Sequence, residues 1–160
     1  MPLKIISGGQ TGADQGGLFG ARDAGYSTGG YAPNGFLTED GHKPSLLREF
    51  GLLDSGLDYK GRTALNIKNS DITLWFGKSD SAGAIATMRA AKKCNKPIID
   101  ATNFTALEIA RLISQHSVVN VAGNRESLSP GIFNKVRDTM RESLEILKTL
   151  NNNLKLRDDH

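Results

Sequence analysis

The largely apolar run Leu3-Lys4-Ile5-Ile6 leads straight into Ser7-Gly8-Gly9-Gln10-Thr11-Gly12-Ala13-Asp14-Gln15-Gly16-Gly17, a pattern of strand, glycine-rich turn and helix. A strand ending in glycines lets backbone approach a ligand closely. The next helix aims its free N–H groups and positive dipole end at the same spot. Phosphate is the usual guest there. The glycines do not fit G-x-G-x-x-G, and no Lys-Ser/Thr pair follows to make a Walker A loop. The expectation is an anion-binding loop of unusual spacing, contacting its ligand through Gly8, Gly9, Gln10, Thr11, Gly12 and Asp14.

Strand and helix patterns alternate along the rest of the chain, which predicts an α/β fold with a mainly parallel sheet and helices on both faces. Helices are expected over 13–24, 62–69, 82–93, 105–115 and 132–150, and strands over 26–32, 71–76, 98–101 and 118–122. Thr105 with Glu108 three residues later reads as a capping box. Pro33 to Gly61 carries little periodicity beyond a short helix near Ser45 to Phe50. So long a connection in a compact domain suggests a part in a pocket or an oligomer contact. Residues 1–150 read as one domain and 151–160 as a flexible tail.

Composition narrows the function classes. A chain of 160 residues with 38% hydrophobic and 23% charged residues suits one globular domain, and 18 glycines suit many tight turns between strands and helices. No apolar stretch is long enough to span a bilayer and no signal segment is legible, so the reading expects a cytoplasmic protein without membrane contact. The single cysteine, Cys94, reads as a small half-buried residue, and the three histidines, His42, His116 and His160, form no metal-ligand spacing. Basic residues are scattered rather than interleaved with aromatics, which argues against nucleic acid as a partner.

Four polar loops should meet at the carboxyl edge of the sheet, where doubly wound folds bind ligands: Gly8 to Gln15, Gly30 to Asn34, Gly77 to Gly83 and Gly123 to Gly131. The third offers Ser79, Ser81, Ala82, Gly83, Ala84 and Thr87 as a second anion cradle, although Ser79, Asp80 or Ser81 would equally serve as a plain helix cap. The fourth offers Asn124, Arg125 and Glu126. Arg125 suits a bidentate phosphate clamp, or a surface pair with Glu126 or another acid. Asp14 and Glu126 are the candidate acids or bases if the protein is an enzyme.

The strings IISGGQTGADQGGL, RTALNIKNSDITLWF, SAGAIATMRAAKKCNKP and NVAGNRESLSPGI, in this order, resemble the molybdenum carrier protein family. That family belongs to a Rossmann-like superfamily shared with the DprA and LONELY GUY proteins. The resemblance implies a single-domain Rossmann-like three-layer sandwich. It also implies a molybdenum cofactor (molybdopterin) or nucleotide-like phosphorylated ligand, a homo-oligomer, and a molybdoenzyme as acceptor. Two departures stand out. The family often has a proline where this chain has Asn124, and hydrolase relatives carry PGG-x-GT-x-x-E where this chain has Ser81-Ala82-Gly83-Ala84-Ile85-Ala86-Thr87. The missing acid argues against a phosphoribohydrolase. The leading reading is a carrier; a nucleotide-processing hydrolase and a nucleotide-sensing module stay open beside it.

Overall fold

In the computed structural model, which describes residues 2–158, six parallel strands form one sheet in the order β5-β2-β1-β8-β6-β7. The strands are β1 (Lys4–Ile6), β2 (Ser27–Ala32), β5 (Leu52–Asp54), β6 (Ile72–Phe76), β7 (Ile98–Asp100) and β8 (Val118–Gly123). A separate two-stranded hairpin comprises β3 (Leu37–Thr38) and β4 (Gly41–His42). The helices are α1 (Ala13–Asp23), α2 (Pro44–Glu49), α3 (Tyr59–Lys68), α4 (Ala82–Lys93), α5 (Ala106–Ile113) and α6 (Ile132–Asp158). The expected single-domain Rossmann-like sandwich is what the chain builds. Among the described residues no helix is long and apolar enough to cross a membrane.

Strand alternation divides the sheet into two unlike faces. Ile5, Ile72, Leu74, Phe76, Val119 and Val121 join α1, α5 and α6 in one apolar core. The side chains between them, including Thr73, Trp75, Asn120 and Ala122, turn to the face covered by α3 and α4, which pack on each other. The first face is closed by backbone proximity. A Cβ on Gly20 would sit 2.5 Å from the Arg137 carbonyl, and one on Gly16 2.8 Å from that of Phe133, so α1 lies directly against α6.

Several bounds differ from the sequence expectation. The stretch 33–61 contains a 3-10 turn (Asn34–Phe36), the β3–β4 hairpin, α2 and edge strand β5, pieces too short to show a period. They have a core of their own, Phe36, Leu47, Phe50 and Leu52 with Leu18 and Ala32. Helix α3 starts three residues early because Asp58 accepts from the Gly61 N–H at 2.8 Å. The sequence after Leu150 lacks glycine and proline, and α6 continues through it to Asp158, exposed at positions 151–158. Asp159 and His160 lie outside the described residues. The capping box at Thr105 forms as expected.

Gly20→Ala should cost ~1–3 kcal/mol in urea unfolding because α6 cannot retreat, whereas Gly83→Ala, whose Cβ meets nothing nearer than 3.7 Å, should leave stability level or slightly higher. Asp71 ties the starts of β6 and β8 by accepting from the N–H groups of Ser117 at 2.9 Å and Val118 at 2.8 Å, which hold its carboxyl below the ordinary aspartate range. A lowered folded-state pKa gives stability that is present above about pH 3.9 and lost as pH falls through the folded value. The acid limb of a stability–pH curve should therefore flatten in Asp71→Asn.

Candidate functional site

The glycine-rich loop has an anion at its centre, and that anion is its own Asp14. The Gln10 N–H donates to Asp14 Oδ2 at 3.1 Å, and the Gly8 N–H also favours the ionised carboxyl. Ser7 Oγ donates to the Asp14 carbonyl at 3.0 Å, and the Thr11 N–H is taken by Gln10 Oε1 at 3.0 Å. From α3, Arg62 Nη1 reaches Asp14 Oδ2 at 2.9 Å, with both side chains about nine-tenths buried. Burial holds the Asp14 carboxyl above the ordinary aspartate range, and the Arg62 charge and the loop N–H groups offset that rise only in part. The absent side chain of Gly8 is what admits Arg62, since a Cβ there would overlap its guanidinium.

Beside this pair lies a cleft of about 650 Å³ at the carboxyl ends of β1, β8 and β6. Trp75, Ala122 and Gly123 form its floor, α3 one wall through Tyr59, Lys60, Arg62 and Thr63, and α4 the other through Ala82, Gly83, Ala86, Thr87, Arg89 and Ala90. Gln10, Asp14, Glu39, Asn124, Arg125 and Leu128 complete the lining. Ser81 caps α4 by accepting from the Ala84 N–H at 3.2 Å, which leaves the first-turn N–H groups of Ala82 and Gly83 beside the cleft. The Trp75 Nε1, Arg62 Nε and Asn120 Oδ1 atoms are buried without a partner among the described residues. Such groups cost about 1–3 kcal/mol each, and folds retain them mainly where function requires it.

Of the residues singled out in the sequence, Gln10, Asp14, Ala82, Gly83, Thr87, Asn124 and Arg125 meet in this cleft. The others stand behind or outside it. Gly9, at φ +80°, presses on Leu47 and Leu52, and Gly12, at φ +78°, on the backbone of Asn124 and Glu126. Thr11 Oγ1 accepts from the Glu126 N–H at 3.2 Å, Ala84 is fully buried, and Ser79 is exposed. Both carboxylate oxygens of Glu126 cap α6, accepting from Gly131 at 3.0 Å and Phe133 at 2.9 Å. Arg125 pairs at 3.5 Å with Glu39 rather than with Glu126.

Three of the four expected loops converge. Asn124 joins two of them, accepting from the Lys78 N–H at 2.7 Å while its Nδ2 donates to Ser81 Oγ at 3.1 Å. Gly30 to Asn34 stays outside the lining, bound at Tyr31 to Asn66 of α3. The tip of the β3–β4 hairpin stands in the lining instead, through Glu39. Lys60, Arg62, Arg89 and Trp75 were missed because their role depends on how α3, α4 and β6 meet. The only sequence signal for Arg62 was its presence in RTALNIKN.

A cleft at the reversal point of a parallel sheet, rimmed by cations, defines a Rossmann-like small-molecule-binding domain. The sequence profile of the circularly permutated YpsA SLOG family matches residues 5–144, and the chain belongs to that family. It is also similar to a protein from Syntrophus aciditrophicus SB, solved by crystallography at 1.45 Å and described as a "putative molybdenum carrier protein". The two share 32% identity with a TM-score of 0.75, over 91% of this chain and 94% of that one. No curated protein matches the sequence significantly. The family resemblance read from the sequence is borne out.

The buried pair carries its own test. Asp14→Asn and Arg62→Met should each cost ~3–5 kcal/mol in urea unfolding by leaving a buried partner uncompensated, and the double variant should cost clearly less than their sum.

Proposed function

We propose that this chain is a binding and carrier protein for a phosphorylated, flat heterocycle, with the molybdenum cofactor or a nucleotide-like molecule as its ligand. The observation that carries the reading is the charge inventory of the cleft. Lys60, Arg62, Arg89 and Arg125 line it against two carboxylates, Asp14 and Glu39, each already facing an arginine. The surplus of two positive charges suits a phosphate monoester. The start of α4, with the N–H groups of Ala82 and Gly83, is the natural seat for its oxygens.

The residues fit the phosphate and the ring of a pterin cofactor. Lys60, Arg89 and Arg125 would face the phosphate, and Tyr59, exposed at the rim, would hold the ring above the buried Trp75. When bound, such a cofactor supplies molybdenum held by its own dithiolene sulfurs. Among the described residues no group of three His, Cys, Asp or Glu side chains is placed to hold a metal directly. Holding the ligand is favoured over cleaving it because the two candidate acids are engaged: Glu126 caps α6, and Asp14 faces Arg62. The homo-oligomer, the molybdoenzyme acceptor and the wider cradle of Gly8, Gly9, Thr11, Gly12, Ser79, Ser81 and Ala84 remain parts of the proposal; all of these residues but the exposed Ser79 would shape the cleft from behind.

Trp75 is the only tryptophan in the chain, so its emission reports on the cleft. Adenosine 5′-monophosphate or a pterin phosphate should change that emission, and Arg89→Ala and Arg125→Ala should each weaken binding about tenfold, as expected for loss of a charge-assisted contact. The dephosphorylated analogues should show little dependence on either arginine. Protein loaded with molybdenum cofactor should retain it through desalting, shield it from oxidation and deliver it to an apo-molybdoenzyme. Unchanged emission with every phosphorylated probe, together with loss of cofactor on desalting, would contradict the reading.

A further inference from the structure

The β3–β4 hairpin is built to be released. It pairs only Leu37 with His42 and Thr38 with Gly41, and it forms no ladder with the main sheet. Its tip is fastened across the cleft by one residue. The Glu39 N–H donates to Gln10 Oε1 at 2.8 Å, Ser127 Oγ donates to Glu39 Oε2 at 3.1 Å, and Arg125 Nε lies 3.5 Å from the same oxygen. Arg125 Nε also donates to Ser127 Oγ at 3.3 Å, so one carboxylate holds Arg125 and Ser127 together. Glu39 is thus a carboxylate supplied by a distant segment, 88 residues from Ser127, at the mouth of the cleft.

We propose that Glu39 is an internal competitor for the ligand's phosphate, and that the hairpin is a strap which the incoming phosphate displaces from Arg125 and Ser127. This rests on the phosphate-binding reading above and adds its regulation. Two anions cannot share Arg125 without repulsion, and a phosphate dianion offers more charge and more acceptor atoms than a carboxylate. The exchange needs no unfolding: the tip gives up Arg125, Ser127 and the Gln10 Oε1 that accepts from the Glu39 N–H, and the ties that stay lie at its base. There the Lys43 N–H donates to the Phe36 carbonyl at 2.9 Å and His42 Nδ1 lies 2.7 Å from the Gly35 carbonyl. Asp14, the other acid lining the cleft, keeps Arg62 in both states.

The test is calorimetric titration with adenosine 5′-monophosphate, with adenosine as the uncharged control. Glu39→Gln should tighten binding of the monophosphate about fivefold, the scale of an exposed ion pair that no longer has to be broken, and leave adenosine unchanged. In an Arg125→Ala background the same substitution should change affinity less than about twofold, because the competitor has lost its object. Hydrogen exchange at Glu39, whose N–H leaves Gln10 Oε1 as the tip lifts, should speed up when the wild type is saturated. Equal tightening in both backgrounds would show a general charge effect and overturn the strap while leaving the binding site standing. Unaltered exchange on saturation would also overturn it. If the wild type binds no monophosphate, both the strap and the site fall together.

Discussion

The ion pair between Asp14 and Arg62 is the contact around which the rest of the molecule is arranged. The glycine-rich turn folds its amides onto a carboxylate from the first turn of its own helix, and the arginine that balances it comes from α3. Removing two charges from water is expensive unless their remaining hydrogen-bonding capacity is met. Gln10 and Gly8 help to meet it on the acid side. Gly8 is glycine because Arg62 fills the space a side chain would take. The pair thereby sets where α3 lies over the sheet, and the gap it keeps from α4 is the cleft.

The pair also redistributes the work expected of the glycine loop. With several of its amides committed to Asp14, Ser7 and Gln10, the loop shapes the wall of the cleft, and the open first turn of α4 with Arg89 and Arg125 is the seat proposed for a phosphate. Asn124 makes that seat rigid. Its side chain bridges Lys78 and Ser81, and its N–H donates to the Phe76 carbonyl at 3.0 Å. A proline at this position could make neither kind of bond. Asn124 therefore locks the loop after β8 to the loop after β6.

How much of this was legible depended on whether the determining contacts were local. Helix α4 matches its expected span at both ends because Ser81 caps it, alanines fill it and Lys92-Lys93 suit its end. Strand β6 was legible from five consecutive buried residues, Ile72 to Phe76. Strand β5 and the hairpin were not, since three-residue and two-residue pieces have no period to detect. The early start of α3 did have a signal, Asp58 as a cap, masked by Gly61 inside the helix. Within the site, the loops could be placed at one sheet edge from topology alone. The partners within them could not: Arg62 meets Asp14 across 48 residues, and Arg125 after β8 meets Glu39 of the hairpin after β2, and no spacing rule encodes either contact.

With the glycine loop closed on Asp14, an anionic ligand would sit on the α4 side of the cleft. Backbone amide NMR during a titration with adenosine 5′-monophosphate addresses it directly. The Ala82, Gly83 and Arg125 amides should shift strongly while the Gly8 and Gln10 amides, beside the Asp14 carboxylate, hardly move. Dominant shifts at Gly8, Gly9 and Gln10, with the start of α4 silent, would contradict it.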